Sequence, residues 1–356
     1  MQWLYRCLAA SFFVLFCSSL PVVATERPLR VGFVYTSPAS EEGWSYAHDQ
    51  ARKALENIPG VKTFFVESVP EGHESERIIL EMARKGYDII FTTSYGYMDF
   101  TLNVAKQFPR TVFLHCSGYK TAPNVSTYFG RMYQARFLTG LVAGSMTKKN
   151  IIGYVAAFPI PEVIRGINAF ALGVRTVNPK AVVRVQWTQT WYDPLLEKKT
   201  AQELIRDGAD ILAQHQDSPA PQEAAEENGL YSIGYNTDMS PAAPKGHLVA
   251  AIWNWEPFYR NVITQVRAGT WQQGSYWPGF DAEIVNISPF APIVPEDVRA
   301  VVERYKNNIR NGKYTVFEGP VKDQNGYIRV AKDAAISDAE LLSMNWFVEG
   351  VIATPQ

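Results

Sequence analysis

LRVGFVYTSPASEEGWSYAHDQARKALEN, residues 29–57, is the stretch that decides the fold. A β-branched and aromatic run, Leu29 to Tyr35, gives way to turn-forming residues, and Trp44 to Asn57 then reads as a helix. A strand that feeds a helix through a short loop is the first half of a parallel β-α-β crossover. The same grammar starts again further along. NIIGYVA (150–156) leads into a helix over Pro161 to Val177, and Val31-Gly-Phe-Val34 aligns with Ile152-Gly-Tyr-Val155 at an offset of 121. Lys85-Gly-Tyr-Asp-Ile-Ile90 aligns with Asp207-Gly-Ala-Asp-Ile-Leu212 at an offset of 122, so the chain reads as two similar lobes.

Working outward, VKTFFVE (61–67), YDIIFTT (87–93) and RTVFLHC (110–116) are strands of the first lobe, with helices over Gly72 to Lys85 and Tyr97 to Gln107 between them. AVVRVQW (181–187), ADILAQH (209–215) and LYSIGY (230–235) extend the second, with a helix over Pro194 to Asp207 and a short one before Leu230. Such alternation predicts parallel strands covered by helices on both faces, a doubly wound α/β sheet in each lobe. Between them Arg131 to Thr147 forms a helix with an apolar stripe for packing on a sheet, and Gly140 and Gly144 permit close approach to that sheet or to a second subunit. HLVAAIW (247–253) is a further strand, followed by helices over Glu256 to Ala268 and Pro295 to Asn311 and a terminal hairpin turning at Asn325-Gly326. Crossings near Asn124 to Tyr128, Ala250 and Asp281 make a three-strand hinge. The expected lobes are 25–127 plus 251–281, and 128–250 plus 282–356. Two lobes on three strands can close like jaws.

The first 24 residues read as an address. Arg6 precedes the apolar run Cys7 to Leu20, and Val22-Val-Ala24 supplies small residues before a cut. The run is short for a membrane span of about 20 residues, so secretion to the periplasm with cleavage after Ala24 is expected, the alternative being a retained anchor. Phe16 before Cys17 fits a lipoprotein signal badly. Cys116 is then the single cysteine left, expected as a buried strand-end thiol. A formal net charge of -1 gives no general reason to bind a phosphate backbone, so nucleic acid is not expected as a partner.

Ligands of open α/β sheets bind beyond the carboxyl ends of the strands. Those ends here offer Thr36-Ser37, Gly43-Trp44-Ser45, Thr93-Ser94-Tyr95, Ser117-Gly118, Phe158-Pro159, Trp191-Tyr-Asp193, His215-Gln-Asp217-Ser218, Asn236-Thr-Asp238 and Trp253-Asn254-Trp255. Rings and small polar groups in that mixture suit a flat, neutral ligand with hydrogen-bonding edges. They do not suit a phosphorylated one, because no Gly-rich phosphate loop or paired Arg stands there. G-x-S-x-G, G-x-x-x-x-G-K-[ST] and H-E-x-x-H are all absent from the sequence, and His73-Glu74 has Arg77 and Ile78 where a second zinc histidine is needed. His215, Asp217 and Ser218 lie too close together on one strand end to converge as a triad. No catalytic residue, metal site or cofactor is expected.

GWSYAHDQAR (43–52), FVESVPEG (65–72), FTTSYGYMD (91–99) and GYKTAPNVSTY (118–128) closely resemble the basic-membrane-protein family of ABC-transporter substrate-binding proteins. IIGYVAAFPIPEVIRGINAFALG (151–173), TWYDP (190–194), DSPAP (217–221), GPVKDQNG (319–326) and LLSMNWFVEGV (341–351) continue the likeness over almost all of the chain after residue 24. The resemblance implies a type I periplasmic binding fold and capture of a purine nucleoside. It also implies that Trp44 replaces the base-stacking ring of the family's Asp-x-x-Phe-Asn segment, with Ser45 at the Asn. Trp191 takes the place of the second ring and Asp238 that of the ribose-binding Asp, whereas the ribose-binding Lys is replaced by Trp253 or Asn254.

The expected ligand is therefore a purine nucleobase, adenine first, held by Trp44, Ser94, Tyr95, Phe158, Trp191, Asp217, Asp238, Asn254 and Trp255 in a monomer that delivers it to an ABC permease in the inner membrane. A purine nucleoside receptor and a periplasmic sensing subunit for a receptor are the alternatives. A nucleoside hydrolase is a third, disfavoured by the missing acid/base pair and metal cluster.

Overall fold

The computed structural model describes residues 27–40 and 42–353; the expected signal segment lies outside them. The first lobe runs β1 (Leu29–Val34), α1 (Trp44–Leu55), β2 (Val61–Val66), α2 (His73–Arg84), β3 (Ile89–Thr92), α3 (Met98–Ala105), β4 (Val112–Cys116) and β5 (Val125–Tyr128). The second runs α4 (Met132–Met146), β6 (Ile151–Ala156), α5 (Pro161–Val177), β7 (Val182–Trp187), α6 (Pro194–Arg206), β8 (Ile211–His215), α7 (Ala220–Glu227), β9 (Tyr231–Asn236) and β10 (His247–Trp253). The chain then returns through α8 (Glu256–Ala268) and β11 (Ser275–Tyr276) before β12 (Val285–Ile287) and α9 (Glu296–Arg310). A short hairpin of β13 (Val321–Lys322) and β14 (Ile328–Val330), then α10 (Asp338–Leu342) and β15 (Val351–Ile352), complete it.

One sheet has the order β11-β5-β4-β3-β1-β2, the other β12-β10-β9-β8-β6-β7-β15. All neighbours are parallel except β12 on β10. In each lobe the first five strands take the 2-1-3-4-5 order, whose switch point lies between the first and third strands. Central strands are apolar on both faces because helices cover both: Val31, Phe33, Ile89, Ile90 and Phe91 have no exposed surface. α2 shows the complementary one-sided pattern, burying Ser75, Ile78, Ile79, Met82 and Ala83.

α4 packs on the second sheet through β10 and β12, as expected, but it also packs on α5 and α9 and is buried along most of its length, not by one stripe alone. A Cβ at Gly140 would stand 2.1 Å from the Phe170 carbonyl oxygen, and one at Gly173 2.0 Å from that of Phe137. The glycines therefore serve a close helix crossing within the lobe.

Passage between the sheets occurs three times, at 129–131, 254–255 and 277–284. The first two come a few residues later than the sequence suggested, because β5 and β10 stay in their own sheets to the end. Phe129 N–H bonds to the Tyr276 carbonyl at 2.9 Å and Arg131 N–H to that of Pro278 at 2.7 Å; Asn254 N–H reaches Ile284 at 2.9 Å. At this hinge Trp253 and Trp255 stack with ring centroids 4.4 Å apart, joining the hydrophobic cores of the two lobes. Cys116 is buried, as its strand-end position predicts.

Candidate functional site

Carboxyl ends of strands from both sheets meet around one cavity with about 340 Å³ of free space, part of it open to solvent. The first lobe contributes Thr36 after β1, Trp44 at the start of α1, Thr93, Ser94 and Tyr95 after β3, and Ser117 after β4. From the second come Glu162 at the start of α5, Trp191 after β7, His215 and Asp217 at the end of β8, and Tyr235 in β9. The wall contains no Lys or Arg.

The two indoles come from opposite lobes and each is pinned through its N–H. Trp44 Nε1 donates to the Thr93 carbonyl at 2.6 Å. Trp191 Nε1 crosses to the first lobe and donates to Glu71 Oε1 at 3.0 Å. That same oxygen accepts the Gly96 N–H at 2.8 Å and the Ser94 hydroxyl, so one carboxyl in the loop after β2 fixes two wall residues, Trp191 and Ser94, and the backbone beside them. A second bond across the lobe boundary runs from the Ser117 hydroxyl to Glu162. A third contact is steric: a Cβ on Gly43 would stand 2.0 Å from the Asp217 carbonyl oxygen. The lobes therefore lie closed on one another at the cavity.

Desolvation governs the titratable groups here. Burial holds the Asp217 carboxyl well above the usual carboxylate range, helped by Glu197 and Glu71 and opposed by the Ser37 hydroxyl. Burial likewise pushes Glu162 up to about 7, against the Ser117 hydrogen bond and the Arg165 charge. His215 is driven down to about 3 by burial and by Arg136, so it is neutral near pH 7. The wall thus offers a neutral acid at Asp217, a second carboxyl at Glu162 that titrates near neutral pH, hydroxyls and rings, with no fixed positive charge.

Of the residues expected from sequence, Trp44, Ser94, Tyr95, Trp191 and Asp217 line this cavity. Phe158 stands behind it, its ring edge against Trp191 at 4.8 Å. Three others lie elsewhere. Trp255 is sandwiched between His48 at 4.6 Å and Trp253 at 4.4 Å and is 1% exposed, a hinge-core residue. Asn254 is exposed and bonds through Nδ2 to the Glu283 carbonyl at 3.1 Å, tying two crossing segments together. Asp238 faces outward beyond β9, where Asn236 takes a positive φ of 71° and turns the chain away. Its carboxyl caps Ser240 N–H at 3.0 Å and lies 3.6 Å from His247 Nε2. Ser45 also turns inward, its hydroxyl 2.7 Å from that of Ser37.

Glu71, Glu162 and Tyr235 were not singled out from sequence. Glu162 follows Pro161 in a first helical turn, a composition that any helix start shows. Tyr235 sits inside a strand. Glu71 lies beyond β2, an end that the strand-terminus rule would have included.

Among the described residues no group of His, Cys, Asp and Glu could hold a metal ion, and no helix is long and apolar enough to cross a membrane. The Ser218 hydroxyl donates to Glu197, so it forms no triad with His215.

Two doubly wound sheets on a three-segment hinge, with a cavity where their strand ends meet, define a type I solute-binding protein. The chain belongs to the family described as ABC transporter substrate-binding protein PnrA-like, which it matches over residues 29–324. It is 42% identical to a purine-binding protein of Brucella abortus, over 92% of this chain and 93% of that one. It is 38% identical, over 91% and 80%, to a Haloferax volcanii protein provisionally named ABC transporter glucose-binding protein TsgA13. Among solved structures, an ABC-transporter solute-binding protein of Aeropyrum pernix superposes with a TM-score of 0.72 at 17% identity, covering 89% of this chain and 98% of that one. The family and the Brucella and Haloferax relatives are described as binding proteins rather than enzymes.

Proposed function

We propose that the protein captures a purine nucleobase, adenine first, between Trp44 and Trp191 and hands it to an ABC permease in the inner membrane, after export to the periplasm. The observation that carries this reading is the pair of pinned indoles from opposite lobes lining one cavity that has no basic residue. Such a slot favours a flat, neutral ring and disfavours a phosphate, and the Brucella relative is named for purines. Asp238 outside the cavity, together with the missing lysine, argues against a sugar held in the manner that the family resemblance implies.

A purine nucleoside is the second reading. It is favoured by an adjoining chamber of about 770 Å³ of free space, part of it open to solvent, which shares Tyr95, Ser117 and Glu162 with the first and could take a substituent. Mass spectrometry of ligand released from denatured protein, with calorimetry against adenine, guanine, hypoxanthine, adenosine and glucose, tests both. Binding of glucose in preference to every purine would overturn the proposal, and adenosine bound more tightly than adenine would replace it with the second reading.

A further inference from the structure

A planar base covered on both faces by Trp44 and Trp191 exposes only its rim, so selectivity falls to the polar groups that meet that rim. Among the lining residues, the carboxyls are Asp217 and Glu162. Asp217 is held by the Ser37 hydroxyl and packed near Glu197 and Glu71. Glu162 is differently placed. It lines the slot, the adjoining aromatic chamber and a third small cavity behind them, so the surface it retains is cavity wall. Its carboxyl is anchored across the lobe boundary by the Ser117 hydroxyl, a bond that requires the closed arrangement.

We propose that Glu162 is the specificity-determining residue of this cavity, its carboxyl pairing with the rim of the bound base and selecting a ring-nitrogen acceptor beside an amino donor. This rests on the purine reading above. A carboxylic acid offers one O–H donor and one carbonyl acceptor, which complements adenine's ring nitrogen and amino group. A carboxylate only accepts, so it repels that ring nitrogen and instead complements guanine, whose ring N–H and amino group both donate. The choice between bases then follows the protonation state of one side chain.

The surroundings leave that state open near neutral pH. Burial and Glu71 favour the acid, while the Ser117 hydroxyl and Arg165, one turn along α5, favour the carboxylate; together they place the group at about 7. The helix N-terminus acts in the same direction as Arg165. His215 and Arg136 line cavities together with Glu162, and the other titratable groups that sense it include Asp217, Tyr95, Tyr235 and Cys116. The last three are held protonated across the working range, each with its pKa raised chiefly by burial.

The test is binding of adenine and guanine, followed by tryptophan fluorescence at pH 5.5 and 8.5, on the wild type, Glu162→Gln, Glu162→Ala and Asp217→Asn. In the wild type, adenine should weaken by about tenfold between the two pH values while guanine holds or tightens, since one favourable contact becomes repulsive. Glu162→Gln has a fixed donor and acceptor, so it should keep adenine binding and lose the pH dependence. Glu162→Ala should weaken adenine by about tenfold and remove its pH dependence, whereas Asp217→Asn should retain it. The proposal is overturned alone if wild type binds adenine with a pH dependence that Glu162→Gln leaves intact or Asp217→Asn abolishes, or with none at all. It falls together with the purine reading if wild type binds neither base.

Discussion

Replacing Gly43 by Ala should hold the jaws apart. Gly43 sits before α1 with φ -159° and ψ -152°, an extended conformation open to alanine, so the backbone itself does not demand glycine. What demands it is the other lobe. An added Cβ would meet the Asp217 carbonyl oxygen at 2.0 Å and its carbon at 2.6 Å, and restoring ordinary contact needs a separation of roughly 1.4 Å. That shift takes the bond from Trp191 Nε1 to Glu71, now 3.0 Å, past hydrogen-bonding range, and the Ser117–Glu162 bond with it. At about 1.5 kcal/mol for each bond to an acid, closure loses about 3 kcal/mol, or about 150-fold in affinity. Calorimetry with adenine reads the affinity, and small-angle scattering reads whether ligand makes the particle more compact. Because only the interlobe contact changes, the melting temperature of the free protein should stay near that of wild type. Ligand affinity within threefold of wild type, with the same compaction, would refute the argument that the lobes meet at Gly43.

Trp44→Ala and Trp191→Ala should each weaken adenine binding by roughly 5- to 150-fold, from about 1 to 3 kcal/mol of base stacking per ring; unchanged affinity in both would remove the sandwich. Asp238→Ala should leave adenine binding within about twofold, since its carboxyl is exposed to solvent and does not line the cavity; a large loss measured by calorimetry would return Asp238 to the site. Glu162 has a folded-state pKa raised to about 7, so the stability linked to its protonated form is complete below its ordinary range and is lost as pH rises through 7. The melting temperature of Glu162→Gln relative to wild type should therefore rise between pH 4 and 8, the contributions of Asp217, raised like Glu162, and of the buried His48, His115, His215 and His247, lowered and so opposite in sign, being common to both proteins. Secreted protein should begin at Thr25 without lipid, and mass analysis showing an acylated Cys17 would make it a tethered lipoprotein instead.

How much of this was legible beforehand follows from the range of the interactions involved. Strand and helix order is written in local periodicity: the buried run at Val31 to Val34 and the spaced apolar residues of α2 determine their elements within a dozen positions, and the offset between Ile152 and Val31 declares the second lobe. Because parallel strands present their carboxyl ends together, Trp44, Ser94, Tyr95, Trp191 and Asp217 could be placed at one edge from the sequence by itself. Which strand ends enter the cavity was decided only in three dimensions. Asp238 leaves because the chain turns at Asn236, and Trp255 leaves because His48 and Trp253, far apart in sequence, close over its two faces. Glu162 enters, and Glu71 braces the wall from behind, because their hydrogen-bond partners, Ser117 and Trp191, belong to the opposite lobe. Contacts made only when two separately folded lobes swing together leave no periodic trace in either one, and for that reason the tertiary structure alone assigns them.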